Sequence, residues 1–100
     1  MSFETVSASM LDYYINRPEY SIVDLREPEE FSEGHVSGAV NIPYDKLTGQ
    51  LHKLPKDKIY VLYCERGGTS LLAARLMYRA GYDVLSINGG IQAFGGRLFV

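Results

Sequence analysis

Apolar residues along the chain fall into short β-favouring runs separated by amphipathic or polar stretches. The clearest run is Ile59-Tyr60-Val61-Leu62-Tyr63, unbroken and of strand length, as expected for a strand covered on both faces. Cys64-Glu65-Arg66-Gly67-Gly68 follows and cannot continue a strand comfortably. Beyond it, Leu71, Leu72, Ala74, Leu76 and Met77 supply the apolar positions of a helix that Thr69 or Ser70 is expected to cap and Gly81 to stop.

The rest of the chain repeats this alternation. Phe3 to Val6 reads as a first strand, and Ser7 or Ser9 offers an N-cap to a helix carrying Met10, Leu11, Tyr14 and Ile15 before Pro18. Tyr20 to Leu25 is a second strand ending in Asp24 and Arg26. Pro28, Glu29 and Glu30 open a short helix that ends at Gly34, and His35 begins a loop. Gly38 to Pro43 predicts a short strand and Asp45 to Leu51 a helical turn or two. Tyr82 to Ile87 is the last strand, followed by the turn Asn88-Gly89-Gly90 and a short segment, Ile91 to Phe94. Strands alternating with helices predict an α/β fold: a mostly parallel sheet of roughly four to five strands, flanked by helices on both faces. Ligands of such sheets bind at the carboxyl ends of the strands, where Cys64 is expected to lie.

One hundred residues suit one core rather than two, so a single domain over 1–100 is expected. A composition of 46% hydrophobic and 22% charged residues is that of a globular protein, and disorder is not expected. The net charge of -2, with both signs interspersed, gives no basic stripe for nucleic acid. The first ten residues lack a charged n-region with an apolar core, and no run approaches the ~20 apolar residues of a membrane span. The expected location is cytoplasmic, with no membrane association.

Cys64 is the only cysteine, so no internal disulfide can form and the thiol is free for chemistry. A tight turn feeding a helix points unpaired N–H groups into its concavity, and the helix dipole adds positive potential there. A thiol facing such donors ionises more readily than the reference value of about 8.5, and the thiolate is the nucleophile. A lone cysteine at a strand end also has a plainer reading, as a small buried hydrophobe. Gly67 and Gly68 favour the chemical one, since they permit a sharp turn and a close backbone approach to a ligand. His52 has no partner at ligand spacing, so neither a metal nor a cofactor is expected. Gly89-Gly90 lacks the following glycine and lysine of a phosphate loop.

Three motifs together resemble the rhodanese-like family over nearly the whole chain. The first is Asp24-Leu25-Arg26, Glu30-Phe31, Gly34-His35-Val36 and Gly38-Ala39-Val40-Asn41-Ile42-Pro43; the second is the loop Cys64-Glu65-Arg66-Gly67-Gly68-Thr69 followed by Ser70. The third is Gly81-Tyr82, Val84, Leu85 and Asn88-Gly89-Gly90-Ile91-Gln92-Ala93-Phe94. The resemblance implies a sulfurtransferase in which Cys64 takes a sulfane sulfur from thiosulfate or a persulfide and passes it to cyanide or a thiol. A protein that donates or accepts sulfur is a further partner consistent with it. Backbone N–H groups from Glu65 to Ser70 would hold the anion, with the hydroxyls of Thr69 and Ser70 as added donors. Asp24, Arg26 and Glu30 are expected to pin the surrounding loops as a charge network, and the resemblance makes His35 structural.

The loop departs from the family pattern at two places. Arginines common after the cysteine and at the sixth loop position are Glu65 and Thr69 here, which leaves Arg66 as the loop's one cation. Glu65 opposes anionic donors, and an outward Arg66 would favour persulfide donors over thiosulfate. Two other functions share the loop principle. A cysteine phosphatase or arsenate-reductase-like enzyme has a longer loop and an arginine where this chain has Ser70. A non-catalytic interaction module has no physical need for a thiol facing N–H donors.

Overall fold

A computed structural model of the chain describes residues 3–100; Met1 and Ser2, the start of the domain expected over 1–100, lie outside the described residues. Strand β1 (Glu4–Ser7) leads through a 3-10 turn, capped by the Ser7 side chain, into helix α1 (Leu11–Tyr14). Strand β2 (Tyr20–Asp24) is followed by α2 (Pro28–Glu33), with proline in its first turn and the Glu27 N–H donating to Glu30 Oε1 at 3.1 Å. The short strands β3 (His35–Val36) and β4 (Val40–Asn41) precede α3 (Tyr44–Gln50). Then come β5 (Ile59–Tyr63), α4 (Gly68–Arg79), β6 (Asp83–Asn88) and, near the end, β7 (Leu98–Phe99).

Among the described residues the main sheet has five strands in the order β1-β6-β5-β2-β4, and each pairing is parallel. This is the α/β sheet expected from the alternation of strands and helices. β5, the most apolar run, sits at its centre and is buried from Tyr60 to Tyr63. Side chains of successive residues leave a strand on opposite faces. On one face Tyr60, Leu62 and Cys64 pack with Leu47 of α3 and with Ala73, Ala74 and Met77 of α4. On the other, Val61 and Tyr63 pack with Leu11 and Tyr14 of α1, Val36 and Ile87. Helices therefore cover both faces, and the parallel strands bring the ends of β2, β4, β5 and β6 to one edge.

One expectation changes at the periphery. His35 does not open a loop: it pairs with Phe99, and Val36 with Leu98, in a two-stranded antiparallel ribbon. Strands of two residues are too short to show a period, so neither is visible in the hydrophobic pattern. The segment after Asn88 is a 3-10 turn, Gly90–Ala93. Among the described residues no helix is long and apolar enough to cross a membrane.

Candidate active site

Cys64 follows the central strand directly and is 5% exposed. The N–H of Gly67 donates to its Sγ at 3.0 Å and that of Ser70 at 3.4 Å, so the sulfur sits at the amino-terminal end of α4, under two main-chain donors. Both donors and the helix dipole stabilise negative charge on whatever atom occupies that point. The cap differs from expectation. Gly67, at φ 104, occupies the N-cap position, and α4 begins at Gly68. A left-handed residue there turns the chain more tightly than Thr69 or Ser70 could, and it draws Ser70 into the first turn. The Ser70 hydroxyl is consequently buried and turned away from the sulfur, donating to Gly67 O at 3.0 Å and pairing with Ser86 Oγ at 2.9 Å. Leu71 and Leu72, expected on the apolar side of the helix, are exposed, and Ala73 takes their place inside.

The second glycine pair braces this loop from outside. The Ile91 N–H donates to Cys64 O at 2.9 Å and the Gln92 N–H to Glu65 O at 3.2 Å. Gly90 lies so close that a Cβ on it would meet Cys64 O at 2.5 Å, and a Cβ on Gly67 would meet Gly89 N at 2.9 Å. The turn Asn88-Gly89-Gly90 is thus a template for the cysteine loop as well as a chain reversal.

Asp24 and Arg26 form the expected pair at the end of β2. Arg26 contacts both Asp24 oxygens, with Nη2 to Oδ2 at 2.8 Å, and also donates to Gly34 O at 2.7 Å. Burial works against the guanidinium charge, but the hydrogen bond to Asp24 and its negative charge outweigh burial and hold the Arg26 pKa above the ordinary value. Glu30 is not the third member of this network; it caps α2 and lines the pocket described below. Its place is taken by Glu65, whose Oε1 lies 3.6 Å from Arg26 Nη1 and whose other oxygen accepts from Gln92 Nε2. Tyr63, unforeseen in the sequence, completes the buried side. Its hydroxyl donates to Asp24 Oδ2 at 2.6 Å and accepts from the Val36 N–H at 3.1 Å. Burial, reinforced by Asp24, pushes its pKa well above the usual phenol value. Asn41 Nδ2 donates to the carbonyls of Asp24 and Arg26. His35 stacks on Phe31 with centroids 3.8 Å apart and hydrogen-bonds Phe31 O through Nδ1, a loop-fixing position.

An open pocket of about 340 Å³ leads to Cys64, between the end of β2, α2, the start of α3 and the cysteine loop. Thr69, Leu25 and Tyr44 line it, together with Arg26 and four carboxylates, those of Glu27, Glu30, Asp45 and Glu65. Arg66 is exposed and does not line the pocket, whereas Glu65 does. Gly68 is exposed beside the helix start. His52 lines a separate groove with Leu51, Leu54 and Lys56.

A cysteine held by main-chain donors at the carboxyl edge of a parallel sheet defines a cysteine-loop α/β domain. The chain belongs to the rhodanese-like family: the family model, described as a rhodanese-like domain, matches residues 7–97. It is 31% identical over 94 residues to the thiosulfate sulfurtransferase GlpE of Shewanella oneidensis, covering 93% of each chain. It is 35% identical over 78 residues to the uncharacterized protein YqhL of Bacillus subtilis, matching 77% of this chain and spanning 62% of that protein. The crystal structure of a rhodanese-related protein from Thermoplasma volcanium superposes with a TM-score of 0.88 at 28% identity, over 97% of this chain and 98% of that one.

Proposed function

We propose that the protein is a sulfurtransferase that carries a sulfane sulfur on Cys64. The observation that supports this most is the pair of N–H donors, Gly67 and Ser70, aimed at Sγ. In the first step the Cys64 thiolate attacks the outer sulfur of a donor. A bond forms between Sγ and that sulfur, and the donor's S–S bond breaks. From thiosulfate the electron pair leaves as sulfite; from a persulfide R–S–SH it leaves on the carrier sulfur, which takes up the proton that the outer sulfur gives up, so that Cys64 is left as a persulfide anion. In the second step cyanide or an acceptor thiolate attacks the outer sulfur of the Cys64 persulfide, giving thiocyanate or a new persulfide and restoring the thiolate. No net oxidation or reduction of the protein occurs.

The loop residues divide this work. Backbone N–H groups of Gly67 and Ser70 hold negative charge at the sulfur position, Glu65 and Thr69 line the mouth, and Arg66 and Gly68 carry the loop past it outside the lining. Asp24, Arg26 and Tyr63 keep the loop in place beneath it. A relative named as a thiosulfate sulfurtransferase supports the reaction class. The phosphatase alternative gains no support, because the position it needs as arginine is Ser70, buried and hydrogen-bonded to Gly67 and Ser86. Thiocyanate formation from cyanide, measured with thiosulfate and with persulfide donors, is expected for the native protein and lost in Cys64→Ser. Transfer that persists in Cys64→Ser, or no transfer from any donor, defeats the proposal.

A further inference from the structure

The pocket over Cys64 carries a charge opposite to that of a thiosulfate site. Among the described residues four carboxylates line it against the single guanidinium of Arg26, a formal excess of three negative charges. Arg26 is no free anion receptor, since it is bonded to both oxygens of Asp24 and to Gly34 O and lies 3.6 Å from Glu65. Arg66, the loop's other cation, is exposed and outside the lining. The donors free to meet an anion at the sulfur are thus the N–H groups of Gly67 and Ser70, and carboxylates outnumber the paired Arg26 on the approach to them. A dianion such as thiosulfate must cross a repulsive mouth before it meets any donor. Asp45 is exposed in the first turn of α3 and its carboxylate has no hydrogen bond or ion pair among the described residues, so its charge is available to an incoming molecule.

We propose, resting on the sulfurtransferase reading of Cys64, that this acidic mouth selects a persulfide whose carrier bears positive charge beside the sulfur. The carrier is either a small aminothiol or a cysteine flanked by lysine or arginine. The transfer step also favours such a carrier. When the Cys64 thiolate takes the outer sulfur, the electron pair of the broken S–S bond goes to the carrier sulfur, which leaves as a thiolate and then takes the proton that the outer sulfur gives up. A neighbouring cation lowers the carrier thiol pKa and makes it the better leaving group. Ammonium or guanidinium groups at the mouth then rest against Glu27, Glu30, Asp45 and Glu65 rather than in water.

The test compares rates of Cys64 persulfide formation from four donors: cysteamine persulfide, a cysteine-persulfide peptide flanked by lysines, the same peptide flanked by glutamates, and thiosulfate. The lysine-flanked peptide is expected to react about tenfold or more faster than the glutamate-flanked one. Raising the salt to about 1 M shrinks the Debye length to roughly 3 Å and compresses that ratio. Asp45→Asn, a surface change, narrows the ratio severalfold, and Glu27→Gln with Asp45→Asn narrows it further. Equal speed for cysteamine persulfide and the basic peptide indicates a small carrier, and a clear preference for the peptide indicates a protein carrier. Alkylthiosulfonate reagents with trimethylammonium or sulfonate tails measure the same charge selection at Cys64 by forming a mixed disulfide and releasing a sulfinate, without persulfide chemistry. If no donor forms a persulfide while the cationic reagent reacts faster, the sulfurtransferase reading fails and the charge selection stands. Equal or faster reaction of thiosulfate and the glutamate-flanked peptide, or a ratio unmoved by Asp45→Asn, overturns the charge selection.

Discussion

Tyr63 illustrates how a residue chosen for burial acquires a second task. It is fully buried as the last residue of the central strand, and its hydroxyl links the Asp24 carboxylate to the Val36 N–H. Tyr63→Phe leaves one side of that carboxylate and one buried N–H without partners and is expected to cost about 2–3 kcal/mol in urea unfolding. Its pH signature separates this role from simple packing. The folded state binds the phenolic proton more tightly than the unfolded chain does, so the contribution is complete below the ordinary value of 10.0 and is lost as the pH rises above it. The stability difference between the native protein and Tyr63→Phe should hold steady up to about pH 10 and shrink progressively above it; a constant difference across that rise contradicts the assignment. The Asp24–Arg26 pair was readable in the sequence because its members are two positions apart on one strand end. Tyr63 and Glu65 were not readable as its partners, because they come from a strand 39 positions after Asp24 and a loop 39 positions after Arg26, and only the sheet register joins them. Glu30, placed in the network by motif, instead turns toward the helix start that its own local sequence favours.

Among the elements, the cysteine loop depends on two glycine turns meeting back to back. Gly90→Ala puts a Cβ 2.5 Å from the Cys64 and Glu65 carbonyl oxygens at a φ of 63, so the loop must move. We expect a loss of about 1–3 kcal/mol and a fall in the rate of Cys64 persulfide formation of more than about tenfold. Gly68→Ala, with nothing within 4 Å of the new Cβ, should leave stability within about 1 kcal/mol and the rate nearly unchanged. Similar behaviour of the two variants, in thermal melts and persulfide kinetics, contradicts the bracing role. Long strands and α4 were legible from their apolar runs, and so was the turn after Cys64. The helix start was misplaced toward Thr69 and Ser70 because hydroxyl residues are the commoner caps. Gly67 prevails through its left-handed backbone and the close packing of Gly89 against it. The β3–β7 ribbon left no periodic trace at all.

At the scale of the molecule, parallel strands with helices on both faces gather the ends of β2, β4, β5 and β6 on one edge. The central strand delivers Cys64 there, β2 delivers Asp24 and Arg26, and β6 leads into the bracing turn. The alternation of elements made the sheet and the cysteine's edge position readable from the chain alone. The acidic character of the mouth was not, because Glu27, Glu30, Asp45 and Glu65 come from three separate segments and the chain's net charge of -2 hides their concentration in one place. The central claim, that this edge holds sulfur on Cys64, is tested most directly by intact-mass measurement after brief exposure to thiosulfate and to cationic and anionic persulfides, followed by cyanide. The account predicts a gain of one sulfur atom on the native protein, none on Cys64→Ser, and its removal by cyanide. An unchanged mass with every donor, or a sulfur gained equally by Cys64→Ser, would contradict it.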